Sequence, residues 1–273
     1  MRVGIVGYGV VGRATGRMVS LCADHESVIF DPFIPSFSDF SLRMKINTCD
    51  LVFLCVPTPS NDRGCDLSIV EECTSWISRP LVIRSTVIPG TVQRLSVMTG
   101  NSEMAFSPEY LGESSFHPWH EEGDSEFLIV GGPRSVFDLT CALFDTCLSR
   151  PIRYYHTSSK TAELCKYMEN CFLATKVAFV NQFFDIAVAM EVDFDDLRQL
   201  WLADSRVGES HTQVTLERGF RGRCLPKDLS ALVTAMSSLG GTPFLEAVQD
   251  YNTRLCEAAD INRRNALIST SRL

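Results

Sequence analysis

Short apolar runs recur through the first half of the chain: Val3–Val6, Val28–Phe30, Leu51–Val56, Leu81–Arg84, a segment around Phe106, and Phe127–Val130. Between them, apolar residues return every three or four positions over Val10–Leu21, Leu67–Ile77, Gly90–Met98 and Val136–Leu148. Three- to six-residue strands alternating with amphipathic helices build a parallel sheet with both faces covered, so the strands read as apolar throughout. Residues 1–156 are therefore predicted to form an open, doubly wound α/β domain. After Tyr154 the pattern changes. One helix is predicted from Lys160 to about Val192, capped by Ser158 or Ser159, followed by helices at Asp193–Leu202, Lys227–Met236 and Thr242–Ile261. This predicts an all-helical second domain over residues 157–263, with 264–273 a polar, flexible tail.

Composition narrows the classes. The 273 residues are 45% hydrophobic and 21% charged, too apolar for a disordered chain. With 25 basic against 33 acidic side chains the net charge is −8, which argues against binding nucleic acid through its phosphates. The N-terminus runs straight into an apolar strand, unlike a signal peptide. Lys176 interrupts the longest apolar helical stretch, Phe172–Val180, so no membrane span is expected. The eleven cysteines are odd in number and form no C-x-x-C pair. They read as reduced thiols packed as small hydrophobes in a cytoplasmic protein.

The first candidate for chemistry is Gly7-Tyr8-Gly9-Val10-Val11-Gly12, a G-x-G-x-x-G between a strand and a helix. One glycine allows the tight turn, the second lets a pyrophosphate approach the backbone, and the third lets helix and strand pack closely. The phosphates then face the positive end of the helix. Asp31 ends the second strand, 19 residues past Gly12. A carboxylate there accepts ribose hydroxyls and repels a 2′-phosphate, so the pattern predicts a Rossmann-type site for NAD rather than NADP.

Polar segments also follow the later strands, where such a sheet opens its ligand crevice. They are Val56-Pro57-Thr58-Pro59, Ser85 to Thr91, and Ser107-Pro108-Glu109-Tyr110-Leu111-Gly112-Glu113. In the long helix, Glu163, Lys166 and Asn170 share a face at i, i+3 and i+7. They form either a solvated stripe or a site in which a desolvated lysine does acid–base work. Cys224 stands at a loop–helix boundary among Arg221, Arg223 and Lys227, surroundings that favour a thiolate. The loop around His117, His120 and Glu122 reads as a surface turn, and no metal is predicted.

With these residues in view, the chain resembles the UDP-glucose/GDP-mannose dehydrogenase family from residue 1 to about 262. The resemblance rests on Gly7/Gly9/Gly12, V-P-T-P at Val56–Pro59, S-T-V-x-P-G-T at Ser85–Thr91, P-E-[FY]-L-x-E at Pro108–Glu113, K-x-x-x-N at Lys166/Asn170, D-x-R-[IV]-G at Asp204–Gly208, and the G-F-G-G-x-C-x-x-K-D equivalent at Gly219–Asp228. It implies oxidation of a sugar C6 alcohol to a carboxylate with NAD and an enzyme thiol. Cys224 would be the nucleophile, carrying a thiohemiacetal and then a thioester. Lys166 and Asn170 would hold the oxyanion, Asp228 and Thr86 would position water or take its proton, and Glu109 would assist hydrolysis. Glu113, Thr86, Pro57 and Thr58 would join the glycine turn around the cofactor. Arg206, Arg221, Arg223, Lys227, Tyr110 and Leu111 would contact the substrate, a nucleotide sugar or a smaller anionic alcohol.

This sequence also departs from the family pattern. Family chains continue into a second α/β domain that holds the substrate's nucleotide, whereas this one ends at Leu273. Arg221 stands at the third position of G-F-G-G, and position 223 is arginine as well. A two-electron hydroxyacid dehydrogenase, which needs no Cys224, and a catalytically silent NAD-binding subunit remain alternatives. The long helix carries Phe172, Val177, Val180, Phe183 and Phe184 on more than one face, which predicts a homodimer. In the family, the residue matching Arg206 reaches the partner's site.

Overall fold

A computed structural model describes residues 1–61, 64–112 and 119–270, without the side chains of Asn61 and 265–270. The chain divides into two compact units, Met1–Lys166 and Tyr167–Leu273. The sequence reading sets the boundary at residue 156, ahead of the long helix. The packing sets it inside that helix.

The N-terminal unit runs β1 (Arg2–Val6), α1 (Val10–Ser20), β2 (Glu26–Phe30), α2 (Ser41–Ile46), β3 (Leu51–Leu54), a small hairpin β4 (Ser60–Asn61) and β5 (Gly64–Cys65), α3 (Ser68–Trp76), β6 (Leu81–Ile83), α4 (Thr91–Thr99), β7 (Met104–Phe106), β8 (Phe127–Gly131), α5 (Arg134–Cys147) and β9 (Arg153–Thr157). The main sheet has the order β2-β1-β3-β6-β7-β8-β9. In register, Val3 lies between Ser27 and Leu51. Chain direction is parallel throughout except at β7–β8, which are antiparallel and pair at Phe106–Gly131. The order reverses between β1 and β3, and there a doubly wound sheet opens its crevice.

Alternation along the strands feeds two separate cores. Val52 and Leu54 enter one with Phe30, Val70 and Leu95, while Leu51 and Phe53 enter the other with Met18, Leu143 and Phe144. Both faces are thus covered, which explains why the strands show no polar alternation. Four elements lie outside the sequence reading: the two-residue strands of the β4–β5 hairpin, helix α2 and strand β9. Helix α2 is only six residues long and carries Arg43 and Lys45. Strand β9 has no buried residue, so it gives no apolar signal.

Helix α6 (Ser159–Ala189) begins in the N-terminal unit, where Ser158 Oγ accepts from Thr161 N at 3.1 Å as its cap. The C-terminal unit holds the rest of α6 with α7 (Phe194–Leu202), α8 (Leu225–Met236) and α9 (Pro243–Thr270). Asp193 caps α7 by accepting from Asp196 N at 3.0 Å. Helix α9 continues to Thr270, so the segment read as a frayed tail is helical over most of its length. By length and composition, α6 is the one helix among the described residues apolar enough to cross a membrane. Its Asn170, Lys176 and Asn181 all bond inside the C-terminal unit, as on a core helix.

Candidate functional site

In the N-terminal unit the three glycines of the turn after β1 are required for different reasons. Gly7 has φ +86°, and a Cβ there would stand 2.7 Å from the Cys55 carbonyl oxygen; one on Gly12 would stand 2.1 Å from the Gly7 oxygen. These two positions are closed by the chain itself. A Cβ on Gly9 would meet nothing within 4 Å, which leaves open space at the N-terminus of α1. That gap fits a pyrophosphate resting on backbone N–H groups, with Tyr8, Val10 and Val11 forming the rest of the turn. Asp31 lies beside it, its carboxylate accepting from Tyr8 N at 2.7 Å and Phe33 N at 2.9 Å. The turn and the acidic residue are therefore one hydrogen-bonded unit, and they fit an NAD adenosine half.

The polar segments past β3 and β6 are also joined. Thr58 Oγ1 donates to the Thr86 carbonyl at 2.8 Å, and Ser85 Oγ donates to the Val56 carbonyl at 2.7 Å. Pro57 is exposed and Thr86 half-buried on this rim. Glu163 accepts from Gly90 N and Val92 N, capping α4 from α6. Burial pushes its carboxyl above the ordinary range, against the pull of those two N–H donors.

Lys166 is buried, and its ammonium donates to the Glu109 carbonyl at 2.5 Å while lying 4.8 Å from the centre of the Tyr110 ring. Glu109 turns its carboxylate back onto Leu111 N at 2.9 Å. Lys166, Glu109, Tyr110 and Leu111 thus meet in one place. Glu113, with His117, lies outside the described residues.

In the C-terminal unit, Asn170 Nδ2 donates to Asp228 Oδ2 and Lys227 Nζ donates to Asp228 Oδ1, both at 2.5 Å. Asp228 and Asn170 are buried. Glu163, Lys166 and Asn170 are therefore all buried in their own units, which excludes a solvated stripe. Cys224 is exposed at the N-cap of α8, and its carbonyl accepts from Asp228 N at 2.9 Å. By contrast, burial pushes the thiols of Cys55, Cys73 and Cys171 up to about 12. The structure shows no disulfide among the described residues.

The arginines differ in placement. Arg206 is exposed and forks onto Asp204. Arg223 is exposed as well. Arg221, which the sequence reading offers to a substrate anion, is engaged within the chain. Its guanidinium donates to both Asp260 oxygens at 3.0 and 3.3 Å and to the Cys256 carbonyl at 3.0 Å.

Sequence reasoning missed a buried ion pair beneath the crevice. Arg84 donates through both terminal nitrogens to Glu122 at 2.9 and 3.1 Å, and Thr15 Oγ1 donates to the same carboxylate at 2.7 Å. Burial alone would pull Arg84 down, but the Glu122 charge outweighs it and holds the guanidinium above its ordinary value. An arginine at the end of a buried strand is the one available signal, since that position needs a partner.

Comparison with known proteins places these features in a family. Residues 160–254 match the UDP-glucose/GDP-mannose dehydrogenase family central domain, and residues 37–134 match the NAD binding domain of that family. Together the two matches cover more than half of the chain. The UDP-glucose 6-dehydrogenase of Rickettsia typhi is 31% identical over 194 residues, covering 67% of this chain and 44% of that protein. That of Rickettsia prowazekii is 27% identical over 271 residues, covering 85% and 62%. A solved UDP-D-ManNAc dehydrogenase from Pyrococcus horikoshii superposes with a TM-score of 0.78 at 23% identity, over 99% of this chain and 72% of that one; it shares the fold. The chain spans about half to two thirds of the length of the curated relatives.

Proposed function

The chain belongs to the UDP-glucose/GDP-mannose dehydrogenase family, and we propose that it catalyses NAD-dependent oxidation of a nucleotide sugar's primary alcohol to a carboxylate. The observation that carries this reading is the buried Asn170–Asp228 hydrogen bond of 2.5 Å. It joins the helix bearing K-x-x-x-N to the helix opened by Cys224, with Asp228 one turn beyond the thiol. That carboxylate is 1% exposed and paired with both Asn170 and Lys227, so it is fixed one turn from the thiol, where a reacting water would need a base.

In this proposal the turn at Gly7–Gly12 and Asp31 hold NAD, with Pro57, Thr58 and Thr86 on the rim. Bound there, NAD supplies a hydride acceptor. The chain's own residues do the rest. The alcohol's hydroxyl proton would pass to a water held by Asp228 as its hydride leaves, and the Cys224 thiolate sulfur would then add to the resulting aldehyde carbon, forming the C–S bond while the carbonyl π pair moves onto oxygen. Lys166 and Asn170 stabilise that oxyanion as cation and amide donor. After the second oxidation a thioester remains. Water positioned by Thr86 adds to it, Asp228 takes the proton, Glu109 assists, and the C–S bond breaks to give carboxylate and thiol. Each sugar then yields two NADH and consumes one water. Covalent capture retains the aldehyde between the two oxidations.

The proposal includes a homodimer formed on α6. Of the residues read from the sequence, Phe172 and Phe183 are exposed along it, Val177 and Phe184 are half-buried and Val180 is buried in the fold; Met168, Phe179 and Ile186 add exposed apolar surface beside them, more than single exposed residues explain. A monomer with full activity in sedimentation would refute this part. It also places the chain in the cytoplasm, where thiols stay reduced. The functional test is NADH formation from UDP-glucose, GDP-mannose and simple 3-hydroxy acids. We expect turnover of a nucleotide sugar with two NADH per molecule. Turnover of hydroxy acids alone, with one NADH each, would overturn the reading.

A further inference from the structure

The loop before Cys224 is gripped by one stripe of α9. Asn252, Cys256 and Asp260 are spaced four residues apart and so lie along one face of the helix. Asn252 brackets Phe220, accepting from its N–H at 2.8 Å and donating to its carbonyl at 3.0 Å, both bonds buried. Cys256 offers its carbonyl, and Asp260 its carboxylate, to the Arg221 guanidinium. Arg221 Nε closes the loop on itself by donating to the Glu217 carbonyl at 3.1 Å. On the other side, Arg218 donates to Asn181 Oδ1 at 2.8 Å and to Asp185 at 2.6 Å, both on α6.

The backbone explains why such a grip is needed. Arg218 and Gly219 are consecutive left-handed residues, at φ +54° and +65°. Such a conformation persists only when its surroundings hold it. A Cβ on Gly219 would stand 2.5 Å from Asn252 Oδ1, so the loop lies directly against α9. Gly222, at φ +84°, makes the turn between this anchored stretch and Cys224. The Arg221 fork grips the loop one residue before that turn, three residues from Cys224.

We propose that Arg221 and Asp260 form a latch that positions Cys224, so that Arg221 acts as a positioning residue and makes no substrate contact. The inference rests on the reading of Cys224 as nucleophile. It assigns a purpose to the arginine that stands where G-F-G-G has its third residue: a side chain there supplies a grip that glycine lacks.

The test uses the full chain and the variants Arg221→Ala, Arg221→Lys, Asp260→Asn and the Ala/Asn double, with UDP-glucose and NAD as probes. Arg221→Ala should lower kcat about tenfold, as expected for a misplaced reacting group, with KM for both probes unchanged. Asp260→Asn should lower it less, because the Arg221 bond to the Cys256 carbonyl stays, and the double variant should come close to Arg221→Ala, the Asp260–Arg263 pair being what it removes besides. Arg221→Lys should recover part of the loss, since an ammonium reaches the carboxylate without the fork. Hydrogen exchange in residues 218–224 should quicken in the same order. Unchanged kcat and exchange in Arg221→Ala would overturn the latch. So would a raised KM for UDP-glucose at constant kcat, which would make Arg221 a substrate contact. If Cys224→Ser turned over like the parent, the thiol reading would fail, and exchange alone would decide the latch.

Discussion

The glycine turn of the N-terminal unit and the thiol loop of the C-terminal unit are both short glycine-bearing segments at a helix N-terminus, yet they are held in opposite ways. The turn is fixed by backbone against backbone. Gly12 has no room for a Cβ because the Gly7 carbonyl occupies that space, and Gly7 is closed by Cys55. The thiol loop is fixed by side chains: its own Arg218 and Arg221 reach out, and Asn181 from α6 and Asn252 and Asp260 from α9 meet it. The first arrangement leaves evolution or the engineer almost nothing to adjust. The second can be tuned one residue at a time.

The sharpest way to break this comparison is a methyl group in the turn. Gly12→Ala should cost about 3 kcal/mol or more and abolish NAD binding, since backbone must move. Gly9→Ala, with open space around it, should melt like the parent while NAD affinity falls about tenfold, measured by calorimetry. Equal stability losses for both would mean that the chain, not the ligand, requires Gly9.

Next comes the ion pair beneath the crevice. Arg84→Ala leaves a buried Glu122 carboxylate without its main partner, and urea unfolding should show a loss of about 3–5 kcal/mol. The double variant Arg84→Met/Glu122→Leu should lose less than Arg84→Ala, because no orphaned charge remains.

A smaller effect separates the buried thiols from the exposed one. Cys55, Cys73 and Cys171 are pushed up to about 12 from an ordinary 9.0. Above pH 9 the unfolded chain releases these protons while the folded chain keeps them. The unfolded state then binds fewer protons, so stability falls as pH rises from 9 towards 12 and is flat for these groups below 9. The slope has a ceiling of about 1.4 kcal/mol per pH unit for each thiol. Urea midpoints at pH 8, 9 and 10 under reducing conditions measure it. Replacing Cys55 by alanine should reduce the slope.

The smallest effect is at Arg206. Its fork onto Asp204 is exposed, so Arg206→Ala should leave the melting temperature unchanged. Any loss of activity in that variant would then report a contact with substrate rather than a loss of stability.

How much of this was legible depends on distance along the chain. The β1 turn, Asp31 and the helix from Ser159 are local patterns, readable from glycine spacing and apolar periodicity. Strand β9 was not, because Arg153–Thr157 pairs at a sheet edge with no buried residue. The antiparallel β7–β8 step leaves no periodic trace either. The roles of Cys224, Lys166 and Asp228 follow from a resemblance. The long-range pairs do not: Arg84 finds Glu122 38 residues away, and Asn170 finds Asp228 58 residues away. Arg221 shows the same limit most clearly. Its charge suggested an anion, and the fold pairs it with Asp260.

The central claim, that Cys224 carries a covalent intermediate between two oxidations, is tested most directly by NADH yield per UDP-glucose together with intact-protein mass, in the parent and in Cys224→Ser. The account predicts two NADH per sugar from the parent. The serine variant should bind NAD normally but form no acid at the parent rate, with aldehyde released or an ester mass accumulating. Two NADH per sugar from Cys224→Ser, at the parent rate and with no added mass, would contradict it.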